Sequence, residues 1–175
     1  EGGEKVFRYA VKTEPTSLDQ TKANCIPDNE LQHYIQEGLV RTSGGKTEEG
    51  IATEWTYDEA TLTWTFKLRE DAVWSDGEPV TAHDFVYGLQ RLMDPETGAA
   101  YAFIGEYIKN GLAVETGKMK PEELGITAVD DYTLAIQLER NCAYFIDMIA
   151  ASAQYMPVRQ DIVEEYGVDF AATQR

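Results

Sequence analysis

The sequence has 175 residues and a net charge of −16, from 31 acidic and 15 basic residues. Because a surface of this sign repels a phosphate backbone and no cluster of lysine and arginine offsets the repulsion, nucleic acid is excluded as a partner. Apolar residues make up 43% of the chain, which argues against disorder along its whole length. No apolar run is long enough to cross a bilayer. The length suits one modest domain or a piece of a larger protein.

The first segment combines an extended stretch, an irregular stretch and one helix. Residues 6–11 are predicted to form a strand, and residues 14–19 are rich in turn-forming types. A helix is predicted after Pro27, with Asp28 as its N-cap and Gly38 just past its end. Its apolar stripe consists of Leu31, Tyr34 and Ile35.

A hairpin follows residues 43–46, whose two glycines we interpret as a domain boundary. Its first strand is predicted over residues 51–57 and its turn over residues 58–60. The second strand, residues 61–69, alternates apolar and polar side chains with the period of a half-buried strand. The apolar positions of this strand, predicted to face the core, are Leu62, Trp64, Phe66 and Leu68.

A tight turn and a capped helix come next. Residues 75–79 contain a glycine and a proline, which break the strand pattern. Thr81 is the predicted N-cap, and Asp84 stands three residues later in the capping-box position. The helix is predicted to end at Asp94-Pro95. Its apolar residues at helical spacing are Phe85, Val86, Leu89, Leu92 and Met93.

The remainder of the chain alternates short helices with one more hairpin. A helical stripe is predicted to close near Gly111, and Pro121 suits the first turn of a short helix. Residues 126–138 have the pattern of a hairpin, and short helices are predicted over residues 144–151 and 160–166. The stripe consists of Tyr101, Ile104, Tyr107 and Ile108. The inward-facing residues of the hairpin are Leu134, Ile136 and Leu138.

Side chains with catalytic or metal-binding chemistry are few. The sequence has no Gly-rich phosphate loop, nucleophile elbow or pair of metal-binding histidines. His33 and His83 are therefore predicted to be surface or packing residues. Cys25 and Cys142 lack metal-ligand spacing; they could form a disulfide in an oxidising compartment, but unpaired thiols are the default expectation. We accordingly predict no catalytic residue, no metal site and no cofactor.

Two parts of the sequence resemble the oligopeptide-binding proteins that serve ABC importers. The first is the run Trp64-Thr-Phe-Lys-Leu-Arg, followed by Asp71-Ala-Val-Trp-Ser-Asp-Gly-Glu-Pro-Val-Thr-Ala-His-Asp-Phe-Val-Tyr. The second is the opening segment, which is framed by EPTSLD and EGLVR. One departure is Gln20, where a proline is usual after the aspartate. Because many uncommon residues match in order and spacing, the chain is identified as a member of that family, resembling the front portion of a larger protein.

The resemblance implies an α/β fold with a mixed sheet and flanking helices, as part of a two-lobed class II periplasmic-binding-protein-like fold. Residues 1–44 would begin the first lobe, residues 45–158 would form an α/β subdomain appended to it, and residues 159–175 would return towards the first lobe. It also implies an oligopeptide ligand, and a membrane permease of an ABC importer as partner. The location would be outside the cytoplasm, in the periplasm or at the cell surface on a lipid anchor. The fragment itself is expected to be monomeric.

The resemblance also places a ligand-binding site on four residues. Asn24, Cys25 and Ile26 lie in an irregular stretch that would otherwise be read as a plain loop. In the family the matching residues run extended along the cleft and pair with the ligand backbone, which requires N–H and C=O groups rather than particular side chains. Tyr101 follows small residues and could equally be a packing tyrosine. The matching family tyrosine faces the cleft, which favours ligand contact.

The implied function is that of an extracytoplasmic substrate-binding component of a peptide importer. A relative on the same fold could instead bind a metal chelate, haem, a sugar or a signalling peptide. A hydrolase on this scaffold is the third hypothesis, although the sequence contains no nucleophile–base pair to support it. Fold resemblance alone does not decide among these functions.

Overall fold

The computed structural model describes residues 6, 8–10, 12–167 and 170–171. Two residues of the predicted first strand, Phe7 and Val11, lie outside the described residues. The structure assigns no strand to Val6 or to residues 8–10, all of which are exposed. The predicted strand over residues 6–11 is therefore not observed in the part of it that is described.

The described residues form six strands, five helices and four short 3₁₀ turns. The strands are β1 (Val40–Ser43), β2 (Lys46–Glu49), β3 (Ala52–Asp58), β4 (Thr63–Leu68), β5 (Ile126–Asp130) and β6 (Thr133–Gln137). The helices are α1 (Ile26–Ile35), α2 (Ala82–Met93), α3 (Gly111–Glu115), α4 (Phe145–Ala151) and α5 (Gln160–Tyr166). The 3₁₀ turns are Gln20–Lys22, Ala102–Tyr107, Pro121–Glu123 and Ala153–Tyr155.

The central sheet has four strands in the order β3-β4-β6-β5. Phe66 of β4 pairs with Trp55 of β3 on one side and with Leu134 of β6 on the other. Both predicted hairpins are thus confirmed. The predicted α/β fold with flanking helices is confirmed. Among the described residues every strand pair is antiparallel, so no parallel pair makes the sheet mixed in this part of the protein.

The core lies between this sheet and α2. Phe66, Leu134 and Ile136 on the sheet are fully buried, as are Phe85 and Leu92 on the helix. The capping-box prediction is confirmed, because the Asp84 carboxylate accepts a 2.8 Å hydrogen bond from the Thr81 amide. The Ala82 amide donates to the Asp131 carbonyl at 2.8 Å, which attaches the start of α2 to the β5–β6 turn.

Of the four apolar residues predicted to face the core over residues 61–69, Leu62 and Trp64 are only half-buried. Trp64 is only half-buried and lies at the margin of the core, with its ring stacked on Tyr57 at a centroid distance of 4.9 Å. Leu62 precedes the strand and has φ 57°, because it belongs to the β3–β4 turn. The alternation in the sequence begins one residue before the strand itself.

Three helix boundaries differ from the predictions. α1 begins at Ile26 with Cys25 as N-cap, so Asp28 lies in its first turn, and its C-cap is Gln36 rather than a residue beside Gly38. Its predicted apolar stripe is largely on the surface, since Tyr34 is 56% exposed and Ile35 is 54% exposed. The stretch before Gly111 forms a 3₁₀ turn, and Gly111 begins α3 instead of closing a helix. A Cβ at Gly111 would lie 2.3 Å from the Gly105 carbonyl oxygen, which explains the glycine.

The predicted boundary at residues 43–46 is the turn of the β1–β2 hairpin. Gly44 and Gly45 both have positive φ, 56° and 76°, which suits a two-residue hairpin loop. The division of the chain into a first lobe and a subdomain at this point stays a prediction.

We expect Phe66→Ala to lower the free energy of unfolding by about 3–5 kcal/mol, because it removes a fully buried ring from a packed core. Urea denaturation measures the change. Thr127→Ala, an exposed substitution on β5, is the control and should alter stability little. An unchanged midpoint for Phe66→Ala would contradict the core assignment.

Candidate functional site

The three predicted site residues Asn24–Ile26 are called the strip below. A buried ion pair holds the segment that precedes the strip. The Arg91 guanidinium on α2 donates from both terminal nitrogens to the Asp19 carboxylate, at 2.8 and 2.7 Å. The two side chains are 9% and 3% exposed. Next to it, the Gln20 side-chain amide donates to the Pro157 carbonyl at 2.7 Å. These contacts fix the chain just before it reaches Asn24.

The structure places the three predicted strip residues in two different conformations. Cys25 is extended, with φ −133° and ψ 165°, and is half-buried beside the exposed Asn24. Ile26 already belongs to α1 and is 73% exposed, so the prediction that all three residues run extended is wrong at Ile26. The helix begins there because the Cys25 carbonyl accepts from the Asn29 amide and Pro27 suits the first turn.

Asp28 holds the strip to the loop that comes before it. Its carboxylate accepts from the Thr16 amide and hydroxyl, both at 2.6 Å, and from the Asn24 amide at 3.3 Å. Burial acts to raise the pKa of Asp28, but hydrogen bonds from Thr16, Cys25 and Asn24 outweigh it, so the pKa lies below its usual value. Asp28, predicted as the helix cap, is therefore a buried carboxylate that joins Asn24 of the strip to Thr16 of the preceding loop.

Some backbone groups of the strip remain free. Within the described residues, neither the Asn24 carbonyl nor the Cys25 amide has a hydrogen-bond partner. The Cys25 carbonyl, by contrast, accepts from both the amide and the side chain of Asn29. These two groups belong to one trans peptide bond and point in opposite directions, so an added extended chain could pair with only one of them.

The strip and the Tyr101 region are connected through the turn Ala153–Tyr155. The Gln154 side chain donates to the Ala23 carbonyl at 2.9 Å, directly before the strip. The Tyr155 hydroxyl donates to the Ile104 carbonyl at 2.7 Å, and burial raises the pKa of Tyr155, so this donor stays protonated. Sequence reasoning missed both residues, since neither belongs to a motif and their partners are remote in sequence.

Tyr101 is half-buried at the start of the turn Ala102–Tyr107. Its ring lies 5.4 Å from that of Phe103, centroid to centroid. No hydrogen bond of the described residues involves its hydroxyl, and none of their hydrogen bonds or ring contacts joins Tyr101 directly to the strip. The four predicted site residues thus form two patches held by one turn.

The larger surface cavities lie elsewhere. Cavities of about 530 and 520 Å³ are lined by Lys22, Tyr87 and Arg91 and by Tyr34 and Arg69, respectively, among others. A third, of about 350 Å³, is lined by Trp74, Arg159 and Phe170 among others. None of the three includes a residue of the strip or Tyr101. The candidate site is therefore an open surface, as one wall of a cleft would be.

His33, His83 and Cys142 lie outside both patches, whereas Cys25 belongs to the strip. His83 is exposed, with Nε2 3.4 Å from Asp131 Oδ1, and His33 is exposed on α1. Cys25 and Cys142 are free thiols. Within the described ranges, no helix is both long and apolar enough to cross a bilayer.

The fold is part of the class II periplasmic-binding fold, with mixed helices and sheets and an open strip of backbone groups at its surface. The family model of the bacterial extracellular solute-binding proteins, family 5 (middle region), matches residues 46–173. The chain belongs to this family.

Individual relatives agree with this assignment. The chain is 42% identical over 157 residues to the periplasmic murein peptide-binding protein MppA of Escherichia coli, covering 88% of this chain and 29% of MppA. It matches the structure of Burkholderia pseudomallei OppA with a TM-score of 0.88 and 40% identity, over 94% of this chain and 32% of that one. The peptide-bound OppA of Listeria monocytogenes matches with a TM-score of 0.85 and 40% identity, over 89% and 31% of the two chains. The chain thus spans about a third of the length of these relatives.

We expect Asp28→Asn to destabilise the protein by about 1–3 kcal/mol at neutral pH, because it weakens a buried acceptor of several hydrogen bonds. Since the folded-state pKa is lowered, the carboxylate's stabilisation is complete above its unfolded pKa of about 3.9 and is lost as the pH falls through the folded value.

The difference between wild type and Asp28→Asn should therefore shrink below about pH 4, as measured by urea denaturation at several pH values. Glu70→Gln, at an exposed position, is the control. A stability difference that stays constant from pH 7 to pH 2.5 would contradict the proposed role of the Asp28 charge.

Proposed function

We propose that the intact protein containing this chain is the extracytoplasmic substrate-binding component of an ABC importer. It binds oligopeptides in a cleft between two lobes and has no enzymatic activity. Family membership supports this proposal, as do relatives whose names describe oligopeptide-, dipeptide- and murein peptide-binding proteins. The partners are a peptide ligand and the membrane permease of the importer. The location is the periplasm, or the cell surface on a lipid anchor, and this chain alone is monomeric.

The observation that carries the proposal is the free backbone of the strip. The Asn24 carbonyl can accept from a ligand amide on one side of the strip, whereas the Cys25 amide, at the other end of the same peptide bond, points away from that ligand. Ile26 contributes its exposed side chain, and Tyr101 an aromatic ring with a free hydroxyl on the second patch. Because every peptide has the same backbone groups, one site of this kind can accept many sequences.

The proposed domain division agrees with where the segments meet. Residues 1–44 begin the first lobe, residues 45–158 form the appended subdomain, and residues 159–175 return to the first lobe. Arg91 in the subdomain pairs with Asp19 of the first segment and lies 5.2 Å from the Phe170 ring centroid of the return segment. These contacts join the appended subdomain to the first lobe, so both would move as one body when the two lobes close around a ligand.

A different ligand is the main alternative. One relative, 34% identical over 167 residues, is named a probable deoxycholate-binding periplasmic protein of Escherichia coli. An apolar ligand would make little use of the Asn24 and Cys25 backbone groups, which favours the peptide. A metal chelate, haem or a sugar has no specific support among the described residues, and neither has a hydrolase.

We expect N-methylation of the one ligand amide that pairs with the Asn24 carbonyl to weaken binding to the intact protein about 5- to 150-fold, since it removes one hydrogen bond worth about 1–3 kcal/mol. Methylation of the next amide should matter less, because successive N–H groups of an extended chain point to opposite sides. Calorimetry with a set of singly N-methylated tetra-alanines measures this.

The protein-side control is Cys25→Ala, which keeps the amide and should change affinity by less than tenfold. Cys25→Pro is unsuitable, because proline requires φ near −65° whereas Cys25 has φ −133°. If all N-methylated peptides bind as well as the parent, or if Cys25→Ala abolishes binding, the strip does not act through its backbone. If tetra-alanine itself does not bind, the peptide function is wrong.

We expect the 175-residue chain by itself to bind peptides at least about a hundredfold more weakly than the intact protein, since a single wall leaves most of the ligand in water. Titration of both proteins with the same peptides provides the comparison. Equal affinities would exclude a cleft between two lobes.

A further inference from the structure

Two glutamates meet where the turn Ala102–Tyr107 packs against α3. Glu106 lies in the turn, Glu115 is the last residue of α3, and both are half-buried. A Cβ at Gly111 would lie 2.9 Å from the Glu106 Cα, so this face of α3 lies directly on the turn. Glu115 comes four residues after Gly111 and therefore projects from the same face of the helix.

The Glu115 carboxyl group lacks a donor. Its Oε2 is buried and has no hydrogen-bond partner among the described residues. The group beside it is the Glu106 carboxyl, which lies within hydrogen-bonding distance. Two ionised carboxylates are both acceptors and cannot bond each other, whereas a single proton between them makes a hydrogen bond. Burial, and next the Glu106 charge, raise the pKa of Glu115.

The charged groups around this pair do not neutralise it. In the part of the chain that the structure describes, no lysine or arginine forms an ion pair with either glutamate. Lys118, Glu139 and Arg140 line a neighbouring depression of about 290 Å³. The Arg140 guanidinium lies over the Tyr107 ring, and Glu139 accepts from the Asn110 amide.

The other element that packs against α3 is α2, and it adds no compensating charge. Near this corner it presents the Met93 sulfur to Gly105, and the Pro95 ring that follows lies 3.9 Å from where a Cβ at Gly117 would be. Asp94, between them, accepts from the Glu96 amide. The repulsion between the two glutamates is therefore relieved by a proton rather than by a neighbouring cation.

We propose that Glu106 and Glu115 form a proton-sharing pair that holds the turn Ala102–Tyr107 against α3 at acidic pH and weakens this contact at neutral pH. As the pH falls, the Glu115 carboxyl takes a proton from water and donates it in a hydrogen bond to the Glu106 carboxylate. At neutral pH both groups are ionised and repel each other. The device involves no ligand and goes beyond the proposed function.

The direction of the pH dependence is opposite to that of Asp28. Because the folded-state pKa of Glu115 is raised above its unfolded value of about 4.3, the stabilisation from the shared proton is complete below that value. It is lost as the pH rises through the folded-state pKa.

Amide hydrogen exchange of the intact protein between pH 4 and pH 7.5, followed by mass spectrometry, tests the proposal. Wild type and variants are compared at each pH, so that the intrinsic exchange rate cancels. We expect Glu115→Gln to slow exchange over residues 102–116 at least about threefold at pH 7, because the Gln amide can donate to the Glu106 carboxylate. This gain should vanish near pH 4. Glu122→Gln, at an exposed position in the next turn, is the control and should change nothing.

Glu106→Gln should give the same gain, and the double variant should gain no more than either single one, because only one repulsion is removed. No slowing at pH 7 in either single variant, or a gain of equal size at pH 4 and pH 7, would overturn the proposal. Gains that add fully in the double variant would also overturn it, since the two carboxyls would then act independently. If one single variant fails to fold, the other carries the same expectation. None of these outcomes depends on peptide binding, so the proposed function is tested separately.

Discussion

The buried ion pair between Asp19 and Arg91 is the contact on which the arrangement of the segments depends. Two charges removed from water are tolerated only when geometry is good and further hydrogen bonds are made, and here both guanidinium nitrogens bond the carboxylate. Asp19 also accepts from the Thr21 amide, so the same carboxylate begins the 3₁₀ turn Gln20–Lys22. The pair thus sets both the position and the local conformation of the chain that leads into the candidate site.

Two side-chain amides also fix the backbone around the candidate site through hydrogen bonds. Gln20 and Gln154 are both buried, and each donates to a backbone carbonyl of the opposite segment, Pro157 and Ala23 respectively. A proline at position 20, as in the resembling family, could not donate this bond. Buried polar groups satisfied in this way hold a unique arrangement, because any shift would leave them unpaired. The result is a fixed backbone next to Asn24 and Cys25, whose shared peptide group has no hydrogen-bond partner among the described residues.

The sheet and α2 supply the rigid body beneath both patches. Arg91, Phe85 and Met93 are all on α2. Arg91 pairs with Asp19, Phe85 lies in the sheet core and Met93 lies against the turn Ala102–Tyr107. This capped helix therefore connects the segment that leads into the strip with the turn that follows Tyr101.

The sequence by itself determined the β3–β4 hairpin, α2 and the β5–β6 hairpin, because their signals are local: alternation in β4, the Thr81–Asp84 cap and the Asp94-Pro95 stop. It also determined the family, through a long run of ordered, uncommon residues.

Only the tertiary structure decided how the site is built. Asp28 is a residue type typical of helix caps, but it is a buried acceptor for Thr16 and Asn24. Position 111 requires a glycine because the Gly105 carbonyl lies against it. The bonds from Gln154 and Tyr155 span 131 and 51 residues, and no local pattern encodes a partner at that distance. A side chain's partner depends on which segments pack together, and that is settled by the fold as a whole.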